Sequence, residues 1–377
     1  MYDKILKPIL FRFDPERVHD FFAWFGEALG SNPLTRWIVS ASCDYEDPSL
    51  ATRVAGIDFR NPIGLGAGFD KDVRLTKIMS SVGFGFMEVG AITHFPYEGN
   101  KGPRLARLPE DRSLIVNYGL KNYGAEAIRK KMEHVHPDMP VGVNIAKTNR
   151  ADIKGDKSVE DYVISYKMLA QYFSYVTLNV SCPNAQDGCT FQDPQMLDQL
   201  LSALAAALLV DAPPIFLKIS SHLSIPEIDA ILDIVKKYPF ITGFVVSNLA
   251  KRRDILSLRS TADELGVIPA GGISGAPIKH LSTDMVRYIY KKTAGRYVLI
   301  GLGGVFTAED AYEKIKAGAS LVQMVTGLIY GGPMAVKRIN RGLVKLLARD
   351  GFATVADAVG REPSIPSVMV RDKLIAS

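Results

Sequence analysis

The chain has 377 residues, 47% of them hydrophobic and 23% charged, with a formal net charge of +5. That length suits one α/β barrel with an appendage, and the composition excludes wholesale disorder. No Lys/Arg run is dense enough to follow a nucleic-acid backbone, so no nucleic-acid partner is expected.

Residues 1–36 read as an N-terminal helical segment. Ile5, Leu6, Ile9 and Leu10 recur at helical spacing, and Asp14-Pro15-Glu16 starts a second helix with an N-cap acid, a first-turn proline and an acid against the dipole. Val18, Phe21, Phe22, Phe25 and Leu29 then form an apolar stripe. Two readings stand: the stripe docks on the rest of the chain, or it forms an apolar mouth or membrane-facing surface through residues 1–30.

From residue 50 short apolar runs alternate with amphipathic segments. The runs are 63–68, 86–93, 141–146, 175–181, 215–220, 243–248, 297–304 and 321–327. Most are buried-strand material with room for a crossover helix between them. Eight such units predict a (β/α)8 TIM barrel over 37–360, in the α/β class, followed by a loosely held tail at 361–377. GLGG at 301–304 lacks the third glycine and the ribose acid of a dinucleotide fingerprint.

In such a barrel function collects at the C-terminal strand ends. Lys71 follows the first strand, Asn144 lies in the third, Asn179 in the fourth and Lys218 in the fifth, while Ser247 and Asn248 close the sixth. A lone Asn or Lys in an apolar strand costs free energy unless something pairs with it. Five at one rim point to a planar, hydrogen-bonding ligand. The glycine segments 270–275, 301–304 and 325–332 supply backbone N–H groups for a phosphate. A flavin mononucleotide satisfies both ends, with phosphate donors at one and a cation beside its pyrimidine ring at the other.

The three cysteines, Cys43, Cys182 and Cys189, form an odd set without metal-ligand spacing. That fits a reducing compartment, with neither a disulfide framework nor a metal. Cys43 and Cys189 read as small hydrophobes. Cys182 stands just past the fourth strand between Asn179 and Asn184, where a thiol with an ordinary pKa of about 8.5 can accept a proton if a lysine lowers that value. No stretch is long enough to span a membrane and the opening lacks a signal-peptide cleavage pattern. The expected location is cytoplasmic, or peripheral on the cytoplasmic face of the inner membrane.

The motifs NVSCPN (179–184), AGFDKD (67–72), GGISG, GLGG and DPERVH (14–19) resemble the dihydroorotate dehydrogenases over nearly the whole chain, to DAVG at 357–360. The N-terminal helices look like those of the quinone-reducing class 2 enzymes, whereas a cysteine base resembles class 1. The resemblance implies FMN contacts at Ala67, Gly68, Asn144, Asn179, Lys218 and Ser247, and phosphate contacts at Gly275, Gly304, Val325 and Thr326. It implies substrate contacts at Lys71, Asn179, Asn184 and Asn248, with Cys182 and Lys71 catalytic and His19 and Arg107 near a quinone. The implied reaction removes a proton from C5 of dihydroorotate and passes hydride from C6 to the flavin.

This chain departs from the family pattern at several positions. Val116 aligns with a substrate-binding asparagine, and Lys121 falls in the same altered stretch. Leu249 replaces a threonine, the loop 185–190 lacks its arginine, and Val325 replaces a tyrosine. Each lost polar contact leaves about 1–3 kcal/mol of unpaired donor or acceptor on a dihydroorotate-like substrate. The expectation is therefore a dihydroorotate-oxidising, quinone-linked flavoenzyme. The alternative is the same flavin chemistry on another cyclic amide or a secondary metabolite. A flavin-binding protein without turnover and a flavin-free sugar-phosphate barrel are the remaining rivals.

Overall fold

The computed structural model describes residues 2–181 and 190–362. Eight parallel strands close a barrel in chain order: Ile63–Leu65, Phe86–Ile92, Val141–Ile145, Tyr175–Leu178, Ile215–Ile219, Ile241–Val246, Val298–Leu302 and Leu321–Met324. Seven fall within runs expected from the sequence, and Ile241–Val246 starts two residues ahead of the run expected at 243–248. The (β/α)8 expectation is therefore met. Helices such as Asp156–Leu169, Ile225–Val235 and Ala308–Ala317 return the chain and bury their apolar faces on the outside of the sheet.

Side chains alternate in and out along each strand, so residues of one parity fill the interior in layers. At the bottom an antiparallel hairpin, Thr52–Val54 with Ile57–Phe59, presses Phe59 into the barrel. Phe59, Phe86, Tyr175 and Phe216 pack edge to face with ring centroids 5.3, 6.4 and 5.6 Å apart along the series. Gly64 and Gly142 make this possible, because a Cβ there would lie 2.4 Å from the Phe86 ring and 2.2 Å from the Tyr175 ring. Above this plug the next inward layer is polar: Glu88, Asn144, Thr177, Lys218 and Gln323. At the top, Leu105–Leu108, Ser113–Val116 and Gly272–Ile273 form a small antiparallel sheet beside the rim.

The N-terminal helices are Pro15–Ser31 and Pro33–Cys43, preceded by a helical stretch from Tyr2 to Leu10. Asp14 caps the first by accepting from the Arg17 N–H at 2.9 Å, and Asn32 caps the second. The second runs seven residues past the boundary expected at 36. Helix Pro15–Ser31 turns its small residues to the barrel: Ala23 and Gly30 are buried, and a Cβ on Gly26 would meet Leu75 at 2.7 Å. Its phenylalanine stripe faces away, with Phe21 53% and Trp24 56% exposed. No helix among the described residues is long and apolar enough to cross a membrane.

Lys314, on Ala308–Ala317, is fully buried and donates to Ser282 Oγ and Thr283 Oγ1, both at 2.9 Å. Burial pushes its ammonium down from 10.5 to about 7. Between those values the folded chain binds fewer protons than the unfolded one. This group's burden is thus fully present below about pH 7 and lifts as pH rises toward 10.5. Lys314→Met is expected to flatten that rise and to melt higher than the parent at pH 6. Thermal unfolding of both proteins from pH 6 to 9 checks this, and parallel curves would show the hydroxyls already compensate the charge.

Candidate active site

The polar layer opens upward into a cavity of about 230 Å³ at the C-terminal rim. Ala67, Gly68, Lys71, Asn144, Asn179, Lys218, Ser247, Asn248, Gly275, Gly304, Val325, Thr326 and His19 all line it. Residues from all eight strands or the loops after them thus converge on one space. Arg107 does not line it. Its guanidinium donates to the Phe13 carbonyl at 2.8 Å and stands 4.7 Å from the Phe11 ring centre, so it ties down the N-terminal segment. Cys182 and Asn184 lie outside the described residues, as do Cys189 and most of the 361–377 tail.

The deep end is built to hold a polar ring. Lys218 is only 4% exposed, and burial draws its ammonium down while Glu88 draws it back up. Asn144 Oδ1 and Ser247 Oγ are buried without a hydrogen-bond partner among the described residues. Two acceptors and a cation left open in this way fit the edge of a pyrimidine ring. Asn179 Oδ1 accepts from Ser181 Oγ at 2.9 Å, and Asn248 Nδ2 donates to the same Ser181 Oγ at 2.9 Å. These bonds fix the Asn179 and Asn248 amides through Ser181.

The far end is a backbone cradle. Gly304 has φ +69° and sits against the start of helix Lys279–Lys292, where a Cβ would come 2.4 Å from that of Lys279. At Gly275 (φ +83°) a Cβ would come 2.4 Å from the Arg112 carbonyl. Ser274 Oγ and Thr326 Oγ1 are 2.8 Å apart at the same place. Only glycine allows this approach, and N–H groups with two hydroxyls suit a phosphate. The cradle and the Lys218 end together match a phosphate-bearing flavin in donor and acceptor type.

At the mouth, Lys71 Nζ lies 3.3 Å from His19 Nε2 and 4.1 Å from the Tyr118 ring centre. Burial, with Lys71 next, pushes His19 down to about 3, so its ring is neutral and accepts from Lys71. Burial lowers Lys71 itself to about 8. Leu105, Leu114, Val116, Leu120 and Leu249 add an apolar part to the cavity wall. Tyr118, Gly90 and Ala91 also line the cavity but were not expected there from the sequence. Among the described residues no cluster of His, Cys, Asp or Glu could hold a metal.

A parallel barrel with a glycine-lined cradle, a buried lysine and the open Asn144 and Ser247 oxygens in one cavity fits a flavin-type (β/α)8 oxidoreductase. The sequence model of dihydroorotate dehydrogenase matches residues 49–347. A dihydroorotate dehydrogenase (quinone) of Mycobacterium marinum is 39% identical over 94% of this chain and 96% of its own length. One from Anaeromyxobacter dehalogenans is 41% identical over 95% and 96%. The crystal structure of the Eimeria tenella enzyme in complex with ferulenol superposes with a TM-score of 0.77 at 28% identity, covering 92% of this chain and 95% of that one. The chain belongs to the dihydroorotate dehydrogenase family.

Proposed function

We propose that this chain binds FMN and oxidises dihydroorotate to orotate, with a quinone as the final electron acceptor. The observation that carries the reading is the single cavity with Lys218 and the open Asn144 and Ser247 oxygens at one end and the Gly275–Gly304–Thr326 cradle at the other. FMN, when bound, supplies a two-electron acceptor for the hydrogen leaving C6. Lys218 holds its pyrimidine carbonyl and the cradle its phosphate. Asn179, Asn248 and Asn184 hold the substrate amides, and Lys71, partly charged near pH 8, meets the substrate carboxylate. Cys182, the residue after Ser181 in sequence, takes the C5 proton, so that the ring gains a C5=C6 double bond. The exposed face of residues 1–30, with Phe21, Phe22, Trp24 and Phe25, rests on a lipid surface from which a quinone enters beside His19. Arg107 supports this entry by holding the N-terminal segment.

Val116 and Leu249 on the cavity wall favour a second reading, a substrate whose facing edge is less polar than dihydroorotate. Anaerobic mixing with L-dihydroorotate separates the two. Bleaching of bound flavin, reversed on adding a quinone, is the expected result. FMN that stays oxidised would favour the altered substrate, and protein without bound flavin would end both readings.

A further inference from the structure

Beneath the cavity floor Glu88 is fully buried inside the barrel. Asn144 Nδ2 donates to its Oε1 at 2.8 Å, and Thr177 Oγ1 and Gln323 Nε2 donate to its Oε2, both at 3.0 Å. Both amides thus turn their NH2 groups to the Glu88 carboxyl oxygens. The amide oxygens of Asn144 and Gln323 therefore point away from Glu88. Both are buried and without a partner among the described residues. Asn144 and Lys218 both line the cavity, and with Asn144 Nδ2 held by Glu88 its oxygen is the end left for a ligand.

A flavin's pyrimidine edge carries one N–H donor, at N3, between two carbonyl acceptors. We propose that Glu88 is a positioning residue for the cofactor: by locking the Asn144 amide it makes Asn144 Oδ1 the acceptor for the N3–H of FMN. The proposal rests on the reading that this cavity holds FMN. Lys218 then meets the flanking carbonyl, and Glu88 supplies the negative charge behind it. Without a carboxylate at 88 nothing dictates which way the Asn144 amide faces. The flipped amide offers N–H to N–H, an unmade bond at the most buried point of the site.

The test uses the purified protein stripped of flavin and titrated with FMN, followed by fluorescence quenching. Glu88→Gln, which can point its own NH2 at Asn144, is expected to weaken FMN binding about 10- to 100-fold. The double variant Glu88→Gln with Asn144→Asp restores a carboxylate oxygen toward the cavity and returns the amide–carboxylate pair in reverse. It is expected to recover most of the affinity. Unchanged affinity in Glu88→Gln overturns the proposal, and so does a double variant that recovers nothing, because Glu88 would then act as packing or bulk charge. If neither variant folds, 15N-labelled FMN in the unaltered protein decides. A slowly exchanging N3–H proton, whose protection is lost in Asn144→Ala, supports the assignment, and fast exchange in the unaltered protein overturns it. Failure of the unaltered protein to bind FMN at all would instead defeat the functional reading beneath it.

Discussion

Cys182→Ala is expected to keep FMN and substrate yet reduce its flavin ~10²–10⁴-fold more slowly, the usual worth of a positioned general base. Neither ligand needs the thiolate for binding, so the loss falls on the step that removes the C5 proton. Ser181, the residue before it, is fixed by its bonds to Asn179 and Asn248, two residues that line the cavity. Cys182→Ser should recover part of the rate only at higher pH, since a hydroxyl is a poor base at neutrality. Cys43→Ala is the control: that thiol is buried between helix and barrel, and burial pushes its pKa up, away from reactivity. Anaerobic stopped-flow reduction by L-dihydroorotate reads the rates. A Cys182→Ala protein that matches the parent would take the thiol out of the mechanism.

Lys218→Met is expected to lower flavin content and to make the bound flavin harder to reduce. The ammonium stands where negative charge collects on the reduced pyrimidine ring, and a charge-assisted hydrogen bond there contributes about 1.5–3 kcal/mol. For a two-electron couple that corresponds to a midpoint about 30–60 mV more negative. The loss is compounded because Glu88 is left buried without the positive charge facing it. Spectroelectrochemical titration measures the shift. Parent-like occupancy with a parent-like midpoint would mean that Lys218 does not touch the ring.

The barrel was legible because its strands are buried on both faces and read as continuous apolar runs. All eight overlap those runs, and seven lie wholly within them. The hairpin at 52–59 and the rim sheet escaped, since strands of two to four residues carry too little pattern. Gly272–Ile273 hid within a segment read as a glycine loop. Helix Pro33–Cys43 had a local signal that was passed over: Asn32-Pro33 as cap and first turn, then Leu34, Trp37 and Ile38 at helical spacing. In the site, Lys71, Asn144 and Lys218 stood out as polar residues in apolar company. Glu88 and Gln323 did so too, one in the second strand and one in the eighth. They went unnoticed because they lie one layer below the cavity surface, and only strand parity links them to Asn144 and Lys218. Arg107 shows the converse, since the resemblance that put it near a quinone said nothing about its turning to Phe13.

The aromatic stack of Phe59, Phe86, Tyr175 and Phe216 makes the barrel a cup and not a tube. Traffic in a cup is last in, first out. Whatever rests on Lys218 and Asn144 must have entered before anything that rests on Asn248 or Lys121 nearer the lip, and it can leave only afterwards. Loss of the deep occupant is thus held to the moments when the upper place is clear. With FMN as the deep occupant, as proposed above, slower flavin loss is expected during turnover than at rest.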